Sequence, residues 1–273
     1  MTAHFGRTAR IISVTSGKGG VGKTSVAVNL AAALARIGKR VLLADYDLGM
    51  ANAAILLGLN PPVTIDDVLD GRLPVEHVLI EGPDGMTVLP GGSGTGSIPE
   101  FGSDARRRLA DGLRPQARTH DYFIIDTPTG ASGATLETVA SADAVTLVLS
   151  DEPTAFMDAY AMVKMLTLDH GVRHFRVIAN LVENAGAGRT LFHRFNEVVA
   201  RFLPSDLAFL GAVPTDRHMR DAVLHKRCCV DAYPASPAAI AFARIAADIT
   251  ASDIPISPGG QCFLGQEVMH VVR

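Results

Sequence analysis

Cysteine is scarce in this sequence, and long apolar runs are missing. Of the three cysteines, Cys228 and Cys229 are adjacent, and together with Cys262 they form neither a disulfide framework nor a CxxC pair. This usage is typical of a reducing compartment, so we expect a cytoplasmic protein. No stretch reaches the roughly 18 consecutive apolar residues of a membrane-spanning helix, and residues 1–10 lack the apolar segment of a secretory signal.

A strong excess of charge of one sign is also missing. Lysine and arginine total 25 against 28 aspartates and glutamates, which excludes the basic balance of proteins that coat DNA non-specifically. We also expect no direct sequence-specific binding of nucleic acid. The 273 residues, 48% of them hydrophobic, predict a folded chain that can bury a large core.

Short β-branched apolar runs alternate with longer helical patterns along the chain. The predicted strands are residues 11–16, 41–47, 86–90, 122–128, 144–150, 175–182 and 207–214, and clear helical patterns cover 25–38, 153–171 and 188–203. This alternation predicts an α/β fold with a mostly parallel sheet flanked by helices on both faces, and with ligands at the carboxyl ends of the strands. We expect a single domain over residues 1–252, with a loop at 91–97, and a C-terminal tail over 253–273.

A glycine-rich loop joins the first predicted strand to the first predicted helix. It reads Gly17-Lys18-Gly19-Gly20-Val21-Gly22-Lys23-Thr24, followed by Ser25, and it satisfies the phosphate-binding pattern G-x-x-x-x-G-K-[ST]. Its backbone N–H groups and the helix N-terminus suit phosphate oxygens, Lys23 suits the β- and γ-phosphates, and the Thr24 hydroxyl suits Mg²⁺. The alternative is a glycine-rich connector without a ligand.

The second lysine of this loop, Lys18, distinguishes it from an ordinary phosphate-binding loop. GKGGVGKT is the deviant Walker A motif, and the chain here resembles the MinD/ParA class of P-loop ATPases. The resemblance implies ATP and Mg²⁺ as cofactors and an ATP-bound homodimer in which Lys18 reaches the partner's phosphates. A solvated loop lysine is the alternative.

Carboxylates stand at the ends of two other predicted strands. Asp45-Tyr46-Asp47 closes one strand and Asp126 closes another, so both groups are expected to face the ligand crevice. The resemblance implies that Asp47 orients the attacking water and that Thr24, Asp47 and Asp126 form the Mg²⁺ site. It also implies that residues 127–130 form a switch that senses the γ-phosphate. Either carboxylate could instead cap the following helix or turn.

Two further strand ends offer groups that can read the edge of adenine. Asn180 lies in one of them, and Pro214 and Asp216 follow the last strand. These positions resemble the base-contacting positions of the class. A turn asparagine and a helix-capping aspartate are equally consistent with the sequence.

A narrower resemblance covers nearly the whole chain. Blocks at residues 16–59, 64–94, 151–166, 210–223 and 233–246 are similar, in order, to the flagellar-number regulators of the FlhG/FleN family. The block at 151–166, DEPTAFMDAYAMVKML, is the most discriminating one. The segment DIPISPGGQ extends the similarity to Pseudomonas-type members.

The narrower resemblance implies a slow, Mg²⁺-dependent ATPase that acts as a dimerisation switch. The dimer would restrain a sigma-54-dependent flagellar transcription activator, and a signal-recognition-type flagellar GTPase is a further partner. Two departures qualify this picture. Only about ten residues, none of them glutamine, precede the first strand, so direct activation of the GTPase is not expected. Thr129 replaces the alanine that is usual in the switch of this family, and this replacement is expected to alter the rate of ATP hydrolysis.

Alternatives remain for the function and for the tail. One alternative is a MinD/ParA-like positioning ATPase for DNA or the division site, and another is a nucleotide-binding regulator with negligible hydrolysis. The tail places Phe263, Leu264, Val268, Val271 and Val272 on one side of a helix, which suits either peripheral membrane contact or packing against the body or a subunit groove. A basic stretch at 106–108, with Arg114 and Arg118, suits either contact with DNA or an acidic partner face, or a solvated helix face.

Overall fold

One eight-stranded sheet forms the centre of the computed structural model, which describes residues 9–49, 52–92, 98–252 and 263–264. The strands are β1 (Arg10–Thr15), β2 (Val41–Asp45), β3 (Ile80–Glu81), β4 (Thr87–Leu89), β5 (Tyr122–Asp126), β6 (Ala144–Leu149), β7 (His174–Val182) and β8 (Asp206–Pro214). Their order is β3-β4-β2-β5-β1-β6-β7-β8, and every neighbouring pair is parallel except the antiparallel β3–β4 pair. The predicted fold class is confirmed. The sequence analysis missed β3 because two residues are too few to show a periodic pattern.

Helices cover both faces of the sheet. They are α1 (Lys23–Arg36), α2 (Ala53–Leu56), α3 (Ile65–Leu69), α4 (Ser103–Thr119), α5 (Gly133–Ala140), α6 (Pro153–Asp169), α7 (Ala185–Phe202), α8 (Arg217–Leu224), α9 (Cys229–Ala232) and α10 (Pro237–Ala251). The side chains of α1 and α10 share one apolar cluster on one face, whereas α3 and α4, and separately α5, α6 and α7, build clusters on the other. The sheet is therefore buried on both faces, as its continuous apolar strands predict.

The first helix shows why the sequence folds this way locally. Gly22 precedes α1 with a φ of 86°, a left-handed conformation that glycine adopts without strain. Within α1, residues 26–35 are all buried, and small alanines let the helix lie close to the sheet and to α10. Burial of nearly all sides of α1 stabilises the helix, in contrast to a helix that buries a single apolar stripe.

Strand order brings the predicted site residues to one edge of the sheet. In the run β2-β5-β1, the carboxyl ends of three adjacent parallel strands lie next to one another. The loop at 17–22 follows β1, Asp45 ends β2 and Asp126 ends β5. Asp47 lies two residues beyond the observed end of β2, in the following loop rather than in the strand. These segments are far apart in the chain, and they become neighbours because their strands are adjacent in the sheet.

Close packing against α6 limits the first residue of the glycine-rich loop. A Cβ atom on Gly17 would lie 2.2 Å from the carbonyl carbon of Asp158 and 2.5 Å from the amide nitrogen of Ala159. These are backbone atoms of α6, which cannot move aside as a flexible side chain can. By contrast, a Cβ atom on Gly19 would have no heavy atom within 4 Å.

We expect Gly17→Ala to lower the free energy of unfolding by about 1–3 kcal/mol, because the added methyl group must displace either the loop or α6. Gly19→Ala is the matched control in the same loop and should change it by less than about 0.5 kcal/mol. Denaturant unfolding of the nucleotide-free protein measures both. Equal stability of the two variants would contradict the close approach of α6.

Candidate functional site

A buried ion pair forms the centre of the site. Lys23, in the first turn of α1, places its Nζ 2.6 Å from Oδ1 of Asp126 and 3.7 Å from Oδ2 of Asp47. The same nitrogen lies 3.3 Å from the Thr24 hydroxyl. The side chains of Lys23 and Asp126 are only 3% and 0% exposed. The structure thus brings together the four residues that the sequence assigned to phosphate and Mg²⁺ binding, although their roles stay predictions.

Asp126 has a free oxygen in this cluster. Burial raises the pKa of its carboxyl group, and the positive charge of Lys23 opposes that shift. Its Oδ2 atom is buried and has no hydrogen-bond partner among the described residues. A buried carboxylate oxygen without a partner, beside a threonine hydroxyl, is the donor chemistry that a hydrated Mg²⁺ ion accepts. The residues present therefore fit the predicted metal.

Asp45 is a site residue to which the sequence analysis assigned no role. Its Oδ1 accepts a hydrogen bond from the backbone N–H of Asp47 at 3.1 Å, and its Oδ2 accepts one from the N–H of Ala53, also at 3.1 Å. Burial, followed by the charge of Asp126, raises the pKa of Asp45 to about 7. Asp45 therefore holds the loop that carries Asp47. The signal was present in the sequence, since an aspartate that ends a fully buried strand needs local partners.

The predicted switch at residues 127–130 is tied to the strand and loop beside it. Thr127 donates its hydroxyl to the carbonyl oxygen of Val14 at 3.0 Å, and the N–H of Gly130 donates to the carbonyl oxygen of Ser16 at 3.2 Å. These contacts hold the segment after β5 against the start of the glycine-rich loop. Its predicted function as a phosphate sensor stays a prediction.

Lys18 has different partners from Lys23. Its Nζ lies 3.1 Å from Oε2 of Glu152 and 2.8 Å from the hydroxyl of Thr154. Both partners belong to the start of α6, within the block at 151–166 that the sequence analysis singled out. The two side chains of the ion pair are 38% and 61% exposed, so water screens their attraction. Of the two lysines of this loop, Lys23 is thus buried and Lys18 is accessible.

The predicted adenine contacts lie in β7, at the end of β8 and at the N-cap of α8. Asn180 is buried and donates its side-chain amide to the carbonyl oxygen of Val21 at 2.8 Å, so it braces the glycine-rich loop. Pro214 ends β8 beside β7. Asp216 accepts hydrogen bonds from the N–H and the ring Nδ1 of His218 and from the N–H of Ala238, between 2.9 and 3.0 Å. Asp216 therefore makes the contacts of a helix-capping residue, which is the alternative that the sequence analysis left open. Contact of Asn180, Pro214 or Asp216 with adenine stays a prediction.

Two peripheral features of the sequence analysis also have a place in the fold. Within the basic stretch, Arg106 pairs with Glu137 at 3.1 Å and Arg108 donates to the carbonyl oxygen of Leu69 at 2.7 Å, whereas Arg107 is largely exposed on α4. These contacts fit a helix face in solvent.

Of the tail, Phe263 and Leu264 lie on the body of the protein. The remaining apolar residues Val268, Val271 and Val272, and the break at 253–260, lie outside the described residues. Among the helices that the structure describes, none combines the length and the apolar character needed to cross a membrane.

Comparisons with known proteins agree with this geometry. Residues 12–227 match the CobQ/CobB/MinD/ParA nucleotide binding domain. The antiactivator FleN of Pseudomonas aeruginosa is 40% identical over 263 residues, which cover 96% of this chain and 94% of that protein. The flagellum site-determining protein YlxH of Helicobacter pylori is 29% identical over 220 residues, 80% of this chain and 74% of that protein.

A solved structure supports the same assignment. The septum site-determining protein MinD of Pyrococcus horikoshii OT3, complexed with Mg-ADP, matches with a TM-score of 0.72 at 28% identity, covering 88% of this chain and 96% of that one. The family resemblance that the sequence blocks indicated is confirmed. This chain belongs to the CobQ/CobB/MinD/ParA nucleotide-binding family and, within it, to the FleN/FlhG family.

Proposed function

We propose that this protein is a slow, Mg²⁺-dependent ATPase that works as an ATP-driven dimerisation switch in the control of flagellar number and placement. The dimer restrains a sigma-54-dependent flagellar transcription activator. The observation that carries the proposal is the separation of the two loop lysines, one buried against acidic site residues and one accessible at the surface. The relatives named as an antiactivator and as a flagellum site-determining protein support the flagellar part.

Nucleotide binding uses the buried lysine. The carboxylates of Asp126 and Asp47 neutralise the Lys23 ammonium. The β- and γ-phosphates of ATP carry more charge than these carboxylates and take over the Lys23 ammonium, while the N–H groups of the loop donate to the phosphate oxygens. Thr24 and the free oxygen of Asp126 hold the metal side of the site. When bound there, Mg²⁺ would supply positive charge that neutralises the phosphates.

Hydrolysis needs a residue that orients water, and Asp47 is the candidate. Its carboxylate lies next to the Lys23 ammonium and is 14% exposed, so water can reach it. Asp45 holds its backbone, which fixes the direction of the side chain. Phosphoryl transfer depends on such positioning and on charge neutralisation more than on covalent chemistry, so this set of residues suffices for slow turnover.

Dimerisation uses the accessible lysine. The contacts of Lys18 with Glu152 and Thr154 are near the surface, so a polyphosphate brought by a second subunit can replace them. The exchange would release the start of α6 in the ATP-bound dimer. A conformational signal of this kind gives the activator a surface that differs between the monomer and the dimer.

The phosphate site is tested by Lys23→Ala. We expect the affinity for Mg-ATP, measured by calorimetry, to fall by about 100-fold, because the charge-assisted contacts to two phosphates are lost. Lys164→Ala, which removes an exposed lysine of α6, is the matched control and should bind ATP as the parent does. Circular dichroism checks that both variants are folded. Unchanged affinity in Lys23→Ala would remove the phosphate-site assignment.

The switch is tested by light scattering on an Asp47→Ala background, where slow hydrolysis preserves the ATP state. We expect a mass of 28.8 kDa with ADP and twice that mass with ATP. Adding Lys18→Ala should leave the protein monomeric with ATP although calorimetry still detects nucleotide binding. Adding Glu152→Gln, which frees Lys18, should preserve the dimer.

Three results would change the proposal. A mass independent of nucleotide would remove the dimerisation switch. Equal ATP turnover by Asp47→Ala and the parent would remove Asp47 from catalysis and favour a regulator with negligible hydrolysis. ATP-dependent binding to non-specific DNA that weakens with salt would favour a ParA-like positioning ATPase.

A further inference from the structure

Two arginines lie on the face of the sheet that α1 and α10 cover. Arg10 is the first residue of β1, and Arg176 lies in β7, two strands away in the sheet. Ile12 and Ile178 belong to the apolar cluster of α1 and α10, and residues two apart in a strand share a face. Both arginines are therefore on this face. They lie towards the amino ends of the strands, whereas the phosphate loop follows the carboxyl end of β1.

The two guanidinium groups are partly buried without a counterion. The Nη1 atom of each is buried and has no hydrogen-bond partner, and neither arginine forms an ion pair within the described part of the chain. Burial lowers the pKa of Arg176, the nearby Tyr122 opposes that shift, and the positive charge of Arg10 adds to it. A buried carboxyl group can take up a proton and lose its charge, but a guanidinium group stays charged in a protein. Arg10 and Arg176 therefore repel each other, and this repulsion persists at any pH at which the chain is folded.

Two aspartates flank the start of β1, and both have other partners. Asp121 accepts hydrogen bonds from the guanidinium group of Arg40 at 2.9 and 3.3 Å. Asp143 accepts a hydrogen bond from the backbone N–H of Ile11 at 2.9 Å. These carboxylates are thus committed to holding the strand and its neighbours, and they do not pair with either of the two arginines.

Thr146 adds a further polar group on the same face. It lies in β6, between β1 and β7, and is the direct neighbour of Arg176 in the parallel pairing of β6 with β7. Its side chain is fully buried, and its hydroxyl has no hydrogen-bond partner among the residues that the structure describes. Buried polar groups of native proteins are nearly always satisfied, by protein groups or by bound species. Guanidinium groups and a hydroxyl are donors that an oxyanion accepts.

We propose that Arg10 and Arg176 bind a small oxyanion such as inorganic phosphate at the amino edge of the sheet, with the Thr146 hydroxyl as a further donor. The planar fork of a guanidinium group matches two oxygens of such an ion, and the negative charge removes the repulsion between the arginines. A free ion can reach buried nitrogen atoms that a phosphate group in a polymer or a membrane cannot approach. The inference is independent of the proposed function, because this edge lies opposite the phosphate loop.

Thermal unfolding in a zwitterionic buffer tests the site, with inorganic phosphate as the probe. Arg176→Met keeps a long unbranched side chain without the charge, and Arg173→Met removes an exposed arginine at the same edge as the matched control. We expect phosphate at about ten times its Kd to raise the Tm of the parent and of Arg173→Met by about 3–5 °C more than that of Arg176→Met, because an ion that binds only the folded chain stabilises it. All three proteins keep the phosphate loop, so binding there contributes equally and cancels in the comparison.

Arg10→Met removes the other charge and should reduce the response to phosphate as much as Arg176→Met does. Sodium chloride at the same ionic strength reports general screening and should not separate Arg176→Met from Arg173→Met. An equal response of these two variants to phosphate would overturn the site. Chloride that separates them as strongly as phosphate does would overturn its selectivity for an oxyanion.

Discussion

The contact between Lys23 and Asp126 is the interaction on which the site depends. The two groups are almost fully buried, and a buried charge is tolerated only when a partner neutralises it. Carboxylates outnumber ammonium groups around this pair, because Asp45 and Asp47 add two carboxylates to a cluster that contains one lysine. Burial raises the pKa of Asp45 to about 7 and also raises that of Asp126, and repulsion between neighbouring carboxylates adds to both shifts. In the proposed function, a cation would relieve this excess of carboxylates and the phosphates would become the partners of Lys23.

The sheet makes this uneven cluster possible. Parallel strands in the order β2-β5-β1 end at the same edge, so groups that are far apart in the chain meet without any loop having to reach across. The glycine-rich loop closes the cluster from above because Gly17 allows α6 to approach its backbone and Gly22 adopts the left-handed conformation that starts α1. Asn180 of β7 then braces the loop through the Val21 carbonyl oxygen. Close backbone approach and side-chain hydrogen bonds together hold the loop around Lys23.

Contacts lead from the cluster to two separate surfaces. Lys18 links the loop to Glu152 at the start of α6, and Tyr46 links the Asp47 loop to Phe263 of the tail. Both links are short and partly exposed, in contrast to the buried core around Lys23. These contacts join the cluster to the start of α6 on one side and to Phe263 on the other.

The fold class, the family and the composition of the phosphate loop follow from the amino-acid sequence alone, because they depend on residues that are neighbours in the chain. The alternation of apolar runs and helical patterns, the loop at 17–24 and the aspartates at two strand ends are all local features. The folded chain was needed to show that Asp45 holds Asp47, that Lys18 contacts Glu152, 134 positions away, and that Phe263 stacks on Tyr46. The contacts of Lys18 and Phe263 join distant residues through the packing of helices and tail against the sheet, and no local period encodes which side chains will meet there. The Asp45 contact is local, but its importance follows from burial, which the folded chain alone produces.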